Sequence, residues 1–275
     1  MPELPEVETT KVSLAPLLDQ RVLDVSVYQS SLRWPIPDNV AVLKGQRLVS
    51  LKRRSKYILA EFEHITMLWH LGMSGSFRIC QPDEPLKKHD HFVIRFEECE
   101  LRYHDPRRFG CILWLDDYAQ TKLLAPLGSE PLSDAFDAAY LSQKLKNKNV
   151  GIKVAIMDNH VVVGVGNIYA TESLFNLGIH PAEPAKHLNT QQIEKLVVEI
   201  KRILKQAIDL GGSTLRDYSN AMGENGYFQQ TLLAYGRAGE MCVNCETTLE
   251  NIKLGQRASV FCPACQPLKM QRKLA

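Results

Sequence analysis

The chain contains two pairs of cysteines near its end whose spacing is typical of a metal site. Cys242 and Cys245 form one CxxC pair, Cys262 and Cys265 form the other, and sixteen residues separate the pairs. Four thiolates suit a closed tetrahedral zinc ion, and a closed site implies a structural role instead of catalysis. Two disulfides are the alternative, which a reducing compartment disfavours. The pattern therefore predicts one structural Zn²⁺.

The first residues, MPELPEVETT, could supply a nucleophile and an acid. If Met1 is removed, Pro2 becomes a terminal secondary amine, and an α-amino group has a pKa of about 8 compared with about 10.4 for lysine. Such an amine can form a Schiff base, and a neighbouring acid, here Glu3, can protonate the leaving group. Alternatively these residues only begin a helix, because proline and acidic side chains favour its first turn. Glu6 and Glu8 fit that alternative, whereas Pro2 and Glu3 precede the expected helix.

Basic residues are concentrated in three segments that lack acidic residues. KLKNKNVGIK (144–153) has four lysines, LKRRSKY (51–57) has four cations, and the region from residue 251 to the end has five. The formal net charge of the whole chain is only +2. One such segment would be a solvated face, but three together indicate a shared anionic partner such as nucleic acid.

The composition is that of an ordinary globular protein. With 275 residues and 45% hydrophobic content, the chain is long enough for two domains. No apolar run approaches the roughly 20 residues that cross a bilayer, and the N-terminus lacks the features of a signal peptide. We therefore expect a cytosolic protein without a membrane partner.

Residues 21 to 115 predict β strands packed as a sandwich or barrel. The strand-like segments are short, rich in Val, Ile, Leu and aromatic residues, and separated by turn residues. They follow a first helix that should begin between Leu4 and Glu6 and be interrupted by Pro16. The segments read RVLDVSVY, RLVSLKR, KYILAEFE, HFVIRF and RFGCILWL. Cys80, Cys99 and Cys111 fall in strand patterns, and we expect them in the core.

From about residue 134 the pattern becomes helical. DAAYLSQKLKN, TESLFNLGIHP and TQQIEKLVVEIKRILKQAIDLGG predict helices, the last with a threonine cap and a glycine pair at its end. GGSTLRDYSNAMGENGYFQQ then predicts a loop. GQRASVF, between the cysteine pairs, predicts a hairpin that holds Arg257 on the metal module. The expected parts are 1–133, 134–234 and 235–275.

Five segments in order resemble the bacterial formamidopyrimidine-DNA glycosylases. They are MPELPEVET, HLGMSGSFRI, DPRRFG, VVGVGNIYA and the cysteine module with GQRASVFC. The resemblance implies an α+β multidomain fold: an N-terminal β-sandwich with a leading helix, a helix-two-turn-helix domain and a C-terminal zinc-finger hairpin. It also implies a DNA glycosylase and abasic-site lyase that excises oxidised purines, such as 8-oxoguanine and formamidopyrimidines, from duplex DNA in base excision repair.

By this resemblance, Pro2 would attack C1′ of the damaged nucleotide, displace the base and remain as a Schiff base. Glu3 would be the acid and base of the glycosylase step, with Glu6 as a supporting carboxylate. Lys56 would assist β-elimination and bind phosphate, although by itself it could be a solvated lysine at a strand end. Arg257 would act in δ-elimination and grip phosphate bidentately. The product would be a one-nucleotide gap with phosphates at both ends.

Extrusion of the damaged nucleotide leaves a gap in the base stack. The family fills this gap with Met, Arg and Phe, which match Met73, Arg107 and Phe109 here. A flexible thioether, a cation and a flat wedge suit that task, although residue type alone would predict burial for Met73 and Phe109.

Further DNA contacts are implied by the resemblance. Asn167 and Lys148 match phosphate-contacting positions, and the glycines at 164 and 166 would allow phosphate to approach a helix N-terminus. His89 is another expected DNA contact. The glycine-rich loop would cover the extruded base, with lesion contacts from Thr214, Arg216 and Tyr218.

Two other functions share this fold. An endonuclease VIII type would act on oxidised pyrimidines, but that branch typically has Gly at the position of Leu4, and it would not explain the complete Met73, Arg107 and Phe109 set. A non-catalytic DNA-binding homologue would be expected to lack Pro2, Glu3 or Lys56. We expect a monomer in the bacterial cytoplasm, associated with the nucleoid.

Overall fold

The computed structural model describes residues 2–213, 221–223 and 226–268. The chain divides into two compact units, Met1–Pro126 with Ala207–Gln229, and Leu127–Gln206 with Gln230–Ala275. The expected lesion contacts of residues 214, 216 and 218 lie outside the described residues, and the three expected parts stay a prediction. Among the described helices, none has the length and apolar character needed to cross a membrane.

The first helix, α1, spans Leu4–Ser13 and begins where the sequence predicts. Glu3 precedes it in extended conformation, and Glu3 and Glu6 form a capping box. Such a box satisfies backbone N–H groups that the first turn leaves without helical partners. The helix ends before Pro16, where a short 3₁₀ turn, Ala15–Leu17, takes over.

Eight strands of the first unit form two antiparallel sheets of four strands. Their orders are β1-β6-β7-β5 and β2-β3-β4-β8. The bounds are β1 Val22–Val27, β2 Leu48–Arg54, β3 Tyr57–Phe62, β4 Thr66–His70, β5 Ser76–Cys80, β6 Asp90–Phe96, β7 Glu100–His104 and β8 Cys111–Trp114.

Both sheets and α1 contribute to one hydrophobic core, so the predicted sandwich is confirmed. Val7 of α1, Ile58 of β3 and Phe92 of β6 all belong to this cluster. Strand β4 is buried on both faces, because Trp69 joins the main core while Leu68 joins a smaller cluster on the outer face of the sheet.

After residue 134 the chain forms the three predicted helices with shifted ends, together with a short helix, Ile152–Met157, that the sequence did not predict. They are α2 Ala138–Leu145, α3 Ile152–Met157, α4 Asn167–Asn176 and α5 Thr190–Asp209. The sequence prediction started α4 too late: Gly166 is its N-cap, and Gly178, with φ of 63°, follows its C-cap.

The prediction of a threonine cap for α5 was also wrong. Asn189 caps the helix, since its side chain accepts the N–H of Gln192 while the Gln192 side chain accepts the N–H of Asn189. The predicted glycine pair does follow the helix, with positive φ at both residues 211 and 212.

A hairpin of β9, Glu250–Leu254, and β10, Arg257–Phe261, follows the first cysteine pair. Gly255 and Gln256 connect the strands and both have positive φ, which matches the twist of a two-residue hairpin turn. The predicted hairpin is therefore confirmed, with Arg257 at the start of its second strand.

Cys80, Cys99 and Cys111 are buried, as the sequence predicts. Cys99 lies in the turn between β6 and β7 instead of in a strand. Burial raises the pKa of the Cys111 thiol to about 12, which keeps it protonated and unreactive at neutral pH.

Candidate functional site

The start of α1 fixes two buried carboxylates. Glu3 is 3% exposed and Glu6 is 2% exposed, and Pro2 beside them is also buried. Oε2 of Glu6 accepts the N–H of Glu3 at 2.8 Å, and its Oε1 accepts both the N–H and the hydroxyl of Ser213 at 2.8 Å. Glu6 therefore fixes the backbone of Glu3 and of Ser213, which directly precedes the first expected lesion contact, Thr214.

Lys56 lies in the two-residue turn between β2 and β3. The ring of Tyr57, the next residue, is 4.9 Å from that of His70. Burial, with a smaller contribution from the charges of Lys56 and Arg33, lowers the pKa of His70 to about 4. Nδ1 of this neutral imidazole accepts the N–H of Gly72 at 3.0 Å.

Two loops of the first unit bring the expected gap-filling residues together. The Arg107 guanidinium lies 4.8 Å from the centre of the Phe109 ring, and Phe109 is 45% exposed. The loop that carries the partly buried Met73 packs its backbone directly against the backbone of the Arg107–Phe109 loop. This close approach requires a glycine at position 72, since a Cβ there would lie 2.4 Å from the N of Gly110. The alternative prediction that Phe109 is a buried core residue is wrong, because its side chain is exposed.

Asp105 organises these loops, although it was not among the residues predicted from the sequence. Its carboxylate is fully buried. It accepts hydrogen bonds from the Ser74 hydroxyl at 2.7 Å, the Gly110 N–H at 2.9 Å, the Arg107 N–H at 3.2 Å and the Tyr103 hydroxyl at 3.2 Å. The signal for it was an aspartate that opens the turn DPRRFG, since aspartate bonds readily to nearby backbone N–H groups.

His89 lies near two other histidines. Its ring centre is 5.8 Å from that of His104 and 6.0 Å from that of His91. The pKa of His89 is lowered, mainly by partial burial and to a smaller extent by the neighbouring charges of His104, Lys88 and others. The backbone carbonyl of His89 accepts the N–H of Asp105 at 3.0 Å, so this segment is fastened to the loop of Arg107.

In the second unit, Asn167 is the first residue of α4. Gly164 adopts a φ of 77° two residues before the N-cap. The side-chain Oδ1 of Asn167 is buried without a hydrogen-bond partner in the described part of the chain. N–H groups at such a helix start can bind phosphate.

A cavity of about 440 Å³ brings two predicted cations of the second unit together. Lys148 and Arg257 both line it, along with apolar side chains such as Val154. Nζ of Lys148 is 2.9 Å from Oδ2 of Asp158, which also lines the cavity. Although burial opposes ionisation of Asp158, the hydrogen bonds from Lys148 and from the His160 N–H lower its pKa.

One lysine of the basic segment 144–153 has a different role from the one the sequence suggests. Lys153 is 1% exposed, and its Nζ donates to the Ala258 carbonyl at 3.0 Å and to the Ser259 hydroxyl at 2.9 Å. It cannot contribute to a shared basic surface. Instead it fastens β10, beside Arg257, to α3.

The four predicted zinc ligands form one cluster. The Sγ atoms of Cys242, Cys245, Cys262 and Cys265 all lie within 4.8 Å of one another, and the Cys245–Cys262 distance is 3.5 Å. Zn–S bonds of about 2.3 Å place tetrahedral sulfurs about 3.8 Å apart, so the cluster fits one structural Zn²⁺.

A buried carboxylate anchors the segment that leads into this zinc module. Glu172 of α4 is 1% exposed and accepts the backbone N–H groups of Leu233, Ala234 and Tyr235 at 2.8, 2.9 and 2.6 Å. Three such bonds to one carboxylate are charge-assisted and strong.

Family models match most of the chain. Residues 1–112 match the formamidopyrimidine-DNA glycosylase N-terminal domain, 127–219 match its H2TH domain, and 239–268 match the zinc finger found in FPG and IleRS. The chain is 78% identical over 273 residues to the formamidopyrimidine-DNA glycosylase of Acinetobacter baumannii, covering 99% of this chain and 100% of that protein.

The chain belongs to the formamidopyrimidine-DNA glycosylase family. Members of this family are DNA glycosylases, and they share the N-terminal domain, the H2TH domain and the zinc finger of this chain. A Lactococcus lactis Fpg variant in complex with DNA containing Fapy-dG aligns with a TM-score of 0.90 at 33% identity, covering 97% of this chain and 100% of that chain.

The wild-type Lactococcus lactis Fpg also aligns in its complex with DNA containing an oxidised pyrimidine. The TM-score is 0.88 at 32% identity, with 97% of this chain and 100% of that chain covered. Both of these aligned structures are complexes with DNA, so DNA binding is a property of this family.

Proposed function

We propose that this protein is a bifunctional glycosylase and lyase that removes oxidised purines from duplex DNA. The observation that supports this most directly is the exposed stack of Arg107 on Phe109, held beside the loop of Met73 by the buried Asp105. An exposed aromatic ring and a cation on rigid loops suit the gap left by an extruded nucleotide. Of the family members, one was solved with DNA that contains Fapy-dG.

Pro2 is the proposed nucleophile. Its amine attacks C1′, the bond from C1′ to the base breaks, and the base leaves with a proton from Glu3. Opening of the sugar ring leaves a Schiff base between Pro2 and C1′. Glu6 supports this step by holding the backbone of Glu3 at 2.8 Å. Removal of Met1 is required, because a retained methionine would occupy the attacking nitrogen.

Lys56 and Arg257 are proposed for the eliminations that cut the strand. Loss of a proton from C2′ of the Schiff base expels the 3′ phosphate, and a second elimination expels the 5′ phosphate. A lysine ammonium and a planar guanidinium both stabilise departing phosphate oxygens. The product is a one-nucleotide gap with phosphates at both ends.

The remaining predicted residues are proposed to bind DNA. Lys148 and Asn167 would contact phosphates, with His89 as a further DNA contact, and Lys148 would exchange its bond to Asp158 for one to the phosphate. Thr214, Arg216 and Tyr218 are proposed lesion contacts. The zinc ion would hold the hairpin of Arg257, and the enzyme would act as a monomer in the cytoplasm, associated with the nucleoid.

The Glu3→Gln variant tests the proposed division of labour. It should fail to excise 8-oxoguanine but still cleave a preformed abasic site, because the second substrate has no base to protonate. Excision at the wild-type rate would exclude Glu3 as the acid.

Action on oxidised pyrimidines is the second candidate, since a family member was solved with such a lesion. Matched duplexes that contain 8-oxoguanine or an oxidised pyrimidine separate the two. We expect faster excision of 8-oxoguanine. Faster excision of the pyrimidine would reverse the assignment, and tight binding without cleavage of either duplex would favour a non-catalytic role.

A further inference from the structure

The basic segment 51–57 is not simply a surface for DNA. The Arg53 side chain is 10% exposed, and its Nε donates to Oε2 of Glu8 on α1 at 2.8 Å. Its Nη1 donates to the backbone carbonyl of Ser55 at 2.9 Å. One guanidinium therefore joins the first helix to the turn between β2 and β3.

This turn is short and conformationally demanding. Arg54 pairs with Tyr57, which leaves Ser55 and Lys56 as the two connecting residues. Ser55 has a φ of 57° and is 1% exposed. A residue with a Cβ rarely adopts this left-handed conformation unless its surroundings impose it. The carbonyl that accepts from Arg53 belongs to the peptide group joining Ser55 to Lys56, so this bond fixes the backbone plane at Lys56.

Glu8 is suited to hold Arg53. Although burial opposes ionisation of Glu8, hydrogen bonds from Lys11 and Arg53 lower its pKa, so the carboxylate is charged at neutral pH. Glu8 lies on the helix that begins directly after Glu3. An ion pair and a hydrogen bond thus link α1, which begins directly after Glu3, to the turn of Lys56, entirely within the first unit.

We propose that Glu8 and Arg53 are positioning residues that fix the Lys56 turn to α1 and so set where the Lys56 ammonium stands relative to Pro2 and Glu3. The inference rests on the proposed role of Lys56 in elimination. A guanidinium reaches the carboxylate through Nε and the carbonyl through Nη1, two separate nitrogens of its planar fork, whereas a lysine has one nitrogen for both. Elimination requires close placement of the assisting group, so a small shift of the turn should slow strand cleavage.

The test measures single-turnover cleavage of a duplex that contains a preformed abasic site. Glu8→Gln and Arg53→Lys should each cleave it about tenfold more slowly. Binding of the duplex should stay within about twofold of wild type, because the Arg53 side chain is mostly buried and is bonded to Glu8 within the protein. Arg53→Lys keeps the charge, which provides a second test if Glu8→Gln folds poorly.

Glu61→Gln is the matched control. Glu61 of β3 accepts from Lys52 of β2 at 2.6 Å, on the same two strands, and within the described residues its side chain has no hydrogen bond to the turn. The substitution removes the same charge as Glu8→Gln. It should leave cleavage at the wild-type rate, and an equal loss in this control would show a general charge effect and overturn the inference.

A double-mutant cycle shows whether Glu8 acts through Lys56. Glu8→Gln should slow cleavage in the wild-type background and have no further effect in Lys56→Gln. A full additional loss in that background, or wild-type cleavage by Glu8→Gln and Arg53→Lys, overturns the positioning role while leaving Lys56 in the mechanism. Wild-type cleavage by Lys56→Gln would instead remove the proposed role of Lys56, and this inference with it.

Discussion

At the scale of single residues, Asp105 connects the loops that would meet DNA. Its two carboxylate oxygens accept four hydrogen bonds, from Ser74, Tyr103, Arg107 and Gly110. An asparagine amide has only one acceptor oxygen, so Asp105→Asn leaves donors unsatisfied in a buried place. We expect a loss of roughly 2 to 4 kcal/mol in the free energy of unfolding.

The same substitution should impair excision more than it impairs binding to undamaged DNA, because it loosens Arg107 and Phe109. Denaturant unfolding and single-turnover excision are the two measurements. Ser74→Ala removes only one of the four bonds and serves as the milder control. Wild-type excision by a folded Asp105→Asn protein would contradict the role given to Asp105.

His70 makes a prediction about pH. Its pKa in the folded protein is about 4, below the usual value of 6.5. The unfolded chain therefore binds a proton between these values that the folded chain does not, and stability falls as pH decreases from 6.5 to 4. The loss from this group is about 2 to 3 kcal/mol. Urea unfolding of wild type and His70→Asn should diverge across this range, with the exposed His64→Asn as control; parallel curves for His70→Asn would contradict the prediction.

At the scale of elements, the zinc hairpin is held by several independent contacts. Lys153 bonds to β10, Glu172 bonds to the segment before the first cysteine pair, and Gln266 donates to the Ile179 carbonyl at 2.7 Å. These contacts place Arg257 in a fixed position on the second unit. Removal of any one of these contacts should therefore slow DNA cleavage through a shift of Arg257, even though the substituted residue is not a proposed DNA contact.

Cys262→Ser should release zinc and weaken binding to a lesion duplex, because a structural metal contributes directly to folding of its module. Bound zinc per chain and the dissociation constant for DNA are the measurements. Cys99→Ala, at a buried cysteine outside the cluster, is the control and should retain its zinc. Unchanged DNA binding by a zinc-free protein would contradict a scaffolding role.

Strand β4, which the sequence did not reveal, lacks a detectable period for a physical reason. TMLWH of β4 lacks alternation because both of its faces are covered, so no period of two exists to detect. By contrast, β3 alternates strictly between buried and partly exposed residues and was predicted. The six-residue α3 is too short to show a helical period.

At the scale of the whole molecule, charge predicts a steep dependence of DNA affinity on salt. Lys56, Arg107, Lys148 and Arg257 are the proposed cationic contacts. Four phosphate contacts give a slope of about −3 to −4 in a plot of log affinity against log salt concentration. Lys148→Gln should reduce the slope by about one, whereas Lys44→Gln, exposed and outside the three basic segments, should not. A flat response would contradict the contact set.

Local motifs predicted this molecule better than long-range partners did. The zinc cysteines, the hairpin and the residue types for gap filling could be read from short segments. The structural roles of Asp105, Glu172 and Lys153 could not, because each depends on a partner that is distant in sequence. These partners are Ser74, Ala234 and Ser259, respectively. The proposed chemistry of Pro2 likewise depends on the removal of Met1. That removal is a processing step and not a structural contact that a sequence pattern could predict.

The central claim is that Pro2 is the nucleophile, and borohydride trapping tests it most directly. The purified protein is incubated with a duplex containing 8-oxoguanine opposite cytosine, borohydride is added, and the adduct is mapped by peptide mass spectrometry. We expect an adduct on Pro2 in a chain that lacks Met1. An adduct on another residue such as Lys56, or tight binding with no adduct and no excision, would contradict it.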